Sequence, residues 1–300
     1  MKFIKHIVLL AALLSPSLSQ AVEITPAPEP AMDIKPDALG QSGLKLVSPF
    51  WEKSMWEDGL AEVSTYALNQ ARYGTKYPGT ATLIAVRETM DPTRAVKSRD
   101  GSGVPVIKAM LQRHFVTGTY PYHQSATALI GREQGVIQRY LMSSMEWCGN
   151  AGKSWVNHGD SSPMTVMSYF DGYGDVQQDI ALGSDGVLAD TLWIWTRAWV
   201  AAGQPELPAF SVVDSQIEAK TVSTKARPAT ITAEAGKHGG SLFSSATPVE
   251  HVTVTRGTNG AQVDRFIIGT KAPYTLFKWI DSQGSEWTLK KSQRFAYWER

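Results

Sequence analysis

Runs of β-branched and aromatic residues, separated by short turn-forming sequences, occupy most of the chain after Ser48. Residues 61–74 and 79–88 are two such runs, and the sequence GTKYPG lies where they meet. This pattern is typical of strands joined by tight hairpins. It predicts that residues 61–74 and 79–88 pair as an antiparallel hairpin and that more strands follow toward the C-terminus.

One segment, residues 187–201, has the period of a helix instead. Its apolar side chains recur at helical spacing as Leu188, Leu192, Trp195 and Trp199. Gly203 and Pro205 then provide a stop signal. Because Trp193 and Ile194 make other faces apolar too, we expect this helix to be buried inside the curve of a sheet or under a second layer.

The N-terminal sequence predicts a targeting segment followed by a flexible linker. Residues 1–21 combine a basic start, a short apolar run and a small-residue ending, which predicts a secretory signal peptide cut after Ala21. No cysteine follows the apolar run, so no lipoprotein acylation site is expected. Residues 22–47 are rich in proline and read as a flexible linker, and residues 48–300 as a single β-rich domain.

Charge and hydropathy exclude some partners. Lysine and arginine number 29 against 28 acidic residues, for a net charge of +1, so no overall field attracts nucleic acid. No later apolar run has membrane-spanning length, and no transmembrane segment is predicted. An exported chain with a single cysteine must be held together by its core, without an intramolecular disulfide.

That cysteine, Cys148, has two interpretations. Only the thiolate is nucleophilic, so a catalytic role needs a nearby cation or histidine, and His158 is the nearest histidine in sequence. Free cysteine is also among the most frequently buried residues, and Cys148 ends a predicted strand beside Trp147. We favour the second interpretation, in which Cys148 and Trp147 pack inward, and keep the pair Cys148 and His158 as a possible reactive thiol.

The remaining polar motifs give no metal or cofactor site. Asp171, Asp175 and Asp179 lack the alternating ligands of a calcium loop and read as a solvated turn. His114 and His123 have no further histidine or cysteine at zinc-like spacing. Signature motifs of hydrolases and nucleotide-binding enzymes are missing from the sequence, so no catalytic residue is assigned.

The sequence TGTYPY predicts a bend or bulge that changes the direction of the Tyr120 and Tyr122 side chains. Two uses of these aromatic side chains stay open. They can line the mouth of a ligand site, or they can pack at the end of a strand.

Several motifs carry a family resemblance: QARYG at residues 70–74, TGTYPY at residues 117–122 and EWCG at residues 146–149. Over residues 62–170 the chain resembles a family of bacterial exported proteins and lipoproteins, some labelled septum formation inhibitor Maf. The last fifty or so residues resemble, in strand pattern, the curved sheets of periplasmic lipoprotein carriers. The resemblance implies a periplasmic location and an antiparallel curved sheet, barrel or half-barrel closed by one helix. It supplies no catalytic residues.

These observations rank three functions. The first is a non-enzymatic periplasmic carrier for a hydrophobic ligand, a lipid or acyl chain, since each buried methylene contributes about 0.8 kcal/mol. Its expected lining residues are Tyr120, Tyr122, Trp193, Trp195 and Trp199. The second is a cell-envelope interaction or structural protein, which exposed aromatic patches or an unpaired edge strand would favour. The third is a cysteine-dependent hydrolase.

Overall fold

The computed structural model describes residues 39–40, 42–52, 54–159, 161–239, 247–257 and 262–299. They form a mainly β fold, one large curved and unclosed sheet with a helix of ten residues, α2 (Leu192–Ala201). The predicted curved antiparallel sheet is confirmed, in its open form. The described strands are β1 (Ala61–Arg72), β2 (Thr75–Asp91), β3 (Val96–Lys97), β4 (Val104–Thr117), β5 (Tyr120–Gly131), β6 (Ile137–Glu146), β7 (Gly149–Val156), β8 (Ser162–Ser168), β9 (Val176–Ile180), β10 (Gly186–Leu188), β11 (Ser211–Val213), β12 (Ala226–His238), β13 (Thr247–Arg256), β14 (Gln262–Gly269), β15 (Leu276–Ile280) and β16 (Glu286–Phe295).

Strand order follows the sequence closely. The neighbours run β10-β11-β12-β13-β14-β15-β16-β1-β2-β4-β5-β6-β7-β8-β9, with β3 paired to the end of β2. Short turns place consecutive strands side by side, and the β1–β16 pair joins the N-terminal and C-terminal halves. The predicted hairpin is confirmed as β1 and β2. Its turn is formed by Tyr73 and Gly74, both with positive φ, and the rest of the sequence GTKYPG, expected to form the turn, belongs to β2.

The helix is shorter than predicted. Residues 187 and 188, expected to be helical, belong to β10, and Ala189–Thr191 form a 3-10 turn before α2 begins at Leu192. The apolar pattern continues upstream because β10 is buried too, but its backbone pairs in parallel with β11. Parallel strands need a crossover, and α2 is that crossover. Gly203, with φ of 82°, lies just past its end as predicted.

Residues of α2 from Leu192 to Val200 are all buried in a core that strands of both halves share. The polar members of α2 are satisfied there. Thr196 Oγ1 donates to the Leu192 carbonyl at 2.7 Å. Arg197 forms a double ion pair with Glu62 of β1, Nη1 to Oε1 at 2.8 Å and Nη2 to Oε2 at 2.9 Å. This ion pair connects the buried helix α2 to β1, which lies near the middle of the strand order.

Packing begins before the predicted domain boundary at Ser48. Of the predicted linker, the described residues from Leu39 onward lie against the sheet, and Leu44 and Leu46 belong to the core. Backbone bonds from Leu44 N–H to the Gly186 carbonyl (2.9 Å) and from Leu46 N–H to the Gln134 carbonyl (2.8 Å) fix this segment. The described part of the predicted linker is therefore packed, and the prolines that suggested a flexible linker, Pro26, Pro28, Pro30 and Pro36, lie outside the described residues. A short helix, α1 (Pro49–Glu52), follows.

The predicted signal peptide and most of the predicted linker lie outside the described residues. Within the described part of the chain, no helix combines the length and the apolar character needed to cross a bilayer.

Strand β12 is left partly unpaired. Its first residues pair with β11, but from Thr230 onward its only described partner is β13. The Ala229 N–H donates to the Phe210 carbonyl at 2.8 Å, away from β13. Since backbone direction alternates along a strand, the N–H and C=O groups of Ile231 and Ala233 point to the same open side.

Candidate functional site

A cleft of about 450 Å³ opens where several hairpin turns of the sheet meet, and we call it the rim cleft. The lining residues lie in these turns or at the strand ends beside them: Ala71 and Arg72 at the end of β1 with Tyr73 after it, Glu146 at the end of β6, Phe170 and Tyr173 after β8, Glu218, Ala219 and Lys220 after β11, and Gln283 after β15. Turns on a shared scaffold are where binding residues commonly lie. The volume is in the range of small-molecule sites.

The upper walls of the rim cleft are aromatic. Tyr73 is 71% exposed and Tyr173 is 36% exposed, and Phe170 also lines the cleft as a half-buried ring. Two further aromatic side chains, Trp147 and Tyr169, are exposed on the same turns, at 72% and 77%. Exposed rings grouped at one end of a fold are unusual for residues that only fill a core, and they provide apolar surface for a ligand or partner.

The floor of the rim cleft is a buried ion triad. Glu218 accepts from Arg72 Nη1 at 2.7 Å and from Arg113 Nη2 at 2.5 Å. Burial raises the pKa of the Glu218 carboxyl, but Arg113 and Arg72 together bring it below its ordinary value. The Arg72 guanidinium also lies over the Tyr122 ring, 4.4 Å from its centroid. Its Nε is buried and has no hydrogen-bond partner among the described residues.

A row of polar side chains continues from this floor along the inner face of the sheet. Arg113 Nε donates to Gln124 Oε1 at 2.8 Å, and Gln124 Nε2 donates to Ser144 Oγ at 3.0 Å. Nearby, Lys153 Nζ donates to the Lys220 carbonyl at 2.8 Å. Burial lowers the pKa of Lys153 to about 8, although carboxylates near it act in the opposite direction.

The polar row ends at Asp190, in the 3-10 turn before α2. Its Oδ2 accepts from Tyr140 Oη at 2.7 Å and from the Gln216 N–H at 2.8 Å, and its Oδ1 accepts from Ser215 Oγ. Burial and the neighbouring Asp190 raise the pKa of Tyr140 well above its ordinary value. A buried carboxylate with this many donors is held in one position, which keeps the interior below the rim cleft rigid.

Tyr120 and Tyr122, predicted as lining residues or packing residues, lie directly behind the rim cleft. Tyr122 is buried, stacks on Phe115 at 4.7 Å and shares a 3.1 Å hydrogen bond with Tyr73. Tyr120 Oη donates to Glu146 Oε2 at 3.1 Å. The bend predicted at TGTYPY is the two-residue turn between β4 and β5. Both tyrosines therefore support cleft residues from behind.

The tryptophans of α2 fill the interior. Trp193 and Trp195 are each 1% exposed, and Trp195 stacks on Phe210 at 5.3 Å. Trp199 also lines a second opening of about 460 Å³ beside the unpaired part of β12, which we call the edge cleft. The apolar side chains of the edge cleft are Trp199, Pro205, Leu207, Phe210, Ala229, Ile231 and Ala233.

The inward packing expected for Cys148 and Trp147 is wrong. Trp147 and Cys148 form the exposed two-residue turn between β6 and β7, and the Cys148 N–H donates to Tyr120 Oη at 2.6 Å. A tight turn projects both side chains beyond the sheet. His158 follows the far end of β7, so the strand separates it from Cys148 by about 20 Å or more. The structure does not form the Cys148–His158 pair.

No group of three or more histidine, cysteine, aspartate or glutamate side chains in the described ranges is placed to hold a metal ion. The acidic loop with Asp171 and Asp175 is exposed, in keeping with a solvated turn.

Sequence reasoning missed the charged residues of the floor and of the polar row. A signal for two of them is present in the strand pattern. Arg113 takes the place of an inward-facing apolar residue between Leu111 and Phe115, and Lys153 does so between Ala151 and Trp155. A charged side chain on the buried face of a strand needs partners, and so indicates a polar site. Arg72 is the last residue of β1 and Glu218 lies in the loop after β11, and neither gives such a signal.

No family model, curated protein or solved structure matches this chain. The family resemblance and the periplasmic location inferred from the sequence stay predictions.

Proposed function

We propose that this protein is a binding protein for an amphipathic anion, such as a fatty acid or an acidic lipid, held at the rim cleft. The observation that carries the proposal is the combination of aromatic walls with a charged floor in one open cleft. The ligand class is the one that the sequence favours, but the ligand position is different, because α2 fills the interior.

A lysine with no ion-pair partner among the described residues gives the cleft a cation for an anionic head group. The charges at or below the cleft balance overall, because four cationic side chains, Lys220 included, meet four anionic ones: Arg72, Arg113, Lys153 and Lys220 against Glu146, Glu218, Asp190 and Asp281. Lys220 is exposed, and no described ion pair uses its ammonium group. Its charge is therefore available to a carboxylate or phosphate, whereas the Arg72 guanidinium at the cleft floor is already paired with Glu218.

The apolar part of such a ligand would contact Tyr73, Phe170 and Tyr173. Covering already exposed rings releases water from both surfaces, at about 25 cal/mol for each Å² of apolar area removed from water. The walls need no rearrangement for this, since each ring already faces the opening.

The test uses chain purified without detergent, native mass spectrometry with solvent extraction, and titration with a fluorescent fatty acid. Lys220→Glu should weaken binding roughly ten-fold, about 1.4 kcal/mol, because it replaces an attraction by a repulsion near the head group. Tyr173→Ser should weaken binding by removing one wall. Lys45→Glu is the matched control, because it makes the same charge change on the exposed N-terminal segment, away from the cleft lining.

Absence of bound lipid together with no uptake of the fatty acid would contradict the proposal. Equal weakening by Lys220→Glu and Lys45→Glu would contradict the placement at the rim cleft, since it would show only a dependence on net charge.

A second candidate function is docking of an extended segment of an envelope protein at β12. The open N–H and C=O groups of Ile231 and Ala233 favour it, because they border the apolar edge cleft as in strand-addition complexes. Ala233→Pro removes an outward N–H and leaves the β13 ladder intact. A partner retained by the unaltered chain and lost by Ala233→Pro would support docking, and identical partners for both would contradict it.

A further inference from the structure

The outer face of the sheet carries a separate row of side chains with nitrogen, sulfur and amide groups. His114 of β4 pairs with His123 of β5, His123 pairs with Met145 of β6, and Met145 pairs with Asn150 of β7. All four side chains are exposed, and none of them lines the rim cleft or the edge cleft. The two-residue turn after β4 creates the histidine pair, because it sets the register of β4 against β5.

The two imidazoles are in direct contact. The Nδ1 atoms of His114 and His123 are 2.6 Å apart, with ring centroids 4.8 Å apart. At that distance one nitrogen donates and the other accepts, so the pair shares one proton between two lone pairs.

Met145 adds a soft ligand beside this pair. Residues directly opposite on antiparallel strands have Cβ atoms about 5 Å apart, so the thioether is within reach of an ion held at His123. Met145 is 55% exposed, and it lines a groove of about 360 Å³ together with His114, His123 and Asn150.

We propose that His114, His123 and Met145 form a surface site for monovalent copper. Imidazole and thioether ligands suit Cu(I), whereas hard cations need the carboxylates that the groove lining does not contain. Two nitrogens that share one metal at about 2 Å each are roughly 3.3 Å apart in a tetrahedral site and about 4 Å apart in a linear one. Metal entry therefore requires the Nδ1 proton of the donating imidazole to move to its Nε2 atom, which leaves both Nδ1 lone pairs for the metal. It also moves the rings apart by about 1 Å, which exposed side chains accommodate by rotation.

The test is competition for Cu(I) against bicinchoninate in oxygen-free buffer. All chains carry Cys148→Ser, since an exposed thiol binds Cu(I) by itself. We expect this parent to take up one equivalent of Cu(I), and His114→Asn or His123→Asn to lose roughly ten-fold or more in affinity. Met145→Leu should weaken Cu(I) binding and leave Zn(II) affinity unchanged. His158→Asn, at the far end of β7, is the matched control and should equal the parent.

X-ray absorption of the loaded parent should show one sulfur and two nitrogen ligands, and the sulfur should disappear in Met145→Leu. Failure of the parent to withdraw Cu(I) would overturn the proposal. So would unchanged affinity in His123→Asn, or a Cu(I) affinity that Met145→Leu does not alter.

Discussion

The ion pair between Arg197 of α2 and Glu62 of β1 gives the sharpest test of how the helix is held. Arg197 is 1% exposed and Glu62 is 5% exposed. Besides its two bonds to Glu62, Arg197 donates to the Tyr274 carbonyl from Nε and to the Pro273 carbonyl from Nη2, each at 2.8 Å. Its guanidinium also lies 5.2 Å from the Phe50 ring centroid.

The magnitudes follow from these contacts. Glu62→Gln leaves a buried guanidinium without its counter-ion, which should lower the free energy of unfolding by about 3–5 kcal/mol. Arg197→Met leaves a buried carboxylate without its counter-ion and also removes the donor to two carbonyls. Each carbonyl left without a donor should lower the free energy of unfolding by roughly 1–3 kcal/mol more. The double variant buries no lone charge, so it should be more stable than Arg197→Met alone by roughly 3 kcal/mol.

The assay is equilibrium unfolding in urea, followed by tryptophan fluorescence and far-ultraviolet circular dichroism, whose agreement checks for a two-state transition. Arg87→Gln is the control. Its ion pair with Glu57 at 3.0 Å is exposed on both sides, and its loss should cost less than about 1 kcal/mol. Additive effects of Glu62→Gln and Arg197→Met would refute the reasoning, because they would show that neither charge depends on the other.

Three other predictions concern single residues. The folded-state pKa of Lys153 is about 8 against an ordinary 10.5, so its buried charge destabilises the fold below pH 8. The free energy of unfolding should therefore rise by about 3 kcal/mol as the pH increases from 8 to 10.5. Lys153→Met should abolish this rise, which is measured as the difference in unfolding free energy between the two proteins at each pH. Trp195→Phe should lower the free energy of unfolding by roughly 1–3 kcal/mol less than Trp56→Phe does. Trp195 Nε1 has no described hydrogen-bond partner, whereas Trp56 Nε1 donates to the Phe50 carbonyl at 2.7 Å. Equal losses of stability in thermal unfolding would contradict this prediction. Cys148 is exposed and should react with a thiol reagent in the native protein as fast as in urea, and labelling that requires unfolding would contradict its position in the turn.

Most of the fold could be predicted from the sequence, because strand alternation and turn residues act locally. The β1–β2 hairpin and the stop of α2 at Gly203 are examples. The start of α2 could not be placed, because β10 and α2 are both buried and share one apolar run. The role of Leu44 and Leu46 was also hidden, since only their backbone bonds to β10 and to the β5–β6 turn show that this segment is packed.

The candidate site was harder to predict, because long-range pairing creates it. Arg72 and Glu218 are 146 positions apart in sequence and meet only when the turns after β1 and β11 reach the same end of the sheet. Cys148 shows the opposite difficulty. A small residue next to tryptophan is statistically a buried residue, but a two-residue turn reverses that expectation because its side chains have no neighbouring strand to cover them.

The places where this fold can bind something follow from how completely α2 fills it. With Trp193 and Trp195 buried in the core, an acyl chain could enter the interior only by displacing rings whose removal costs several kcal/mol each. Binding surface is then available where strands end, as at the rim cleft, or where a strand lacks a partner, as at β12. The polar row from Glu218 to Asp190 strengthens this conclusion, because a buried network of charged and hydrogen-bonded side chains excludes an apolar ligand from below the rim and still presents charge at its upper end. A ligand that matches both features has an apolar part outside and an anionic group at the floor, which is the arrangement that the Lys220→Glu and Tyr173→Ser variants test separately.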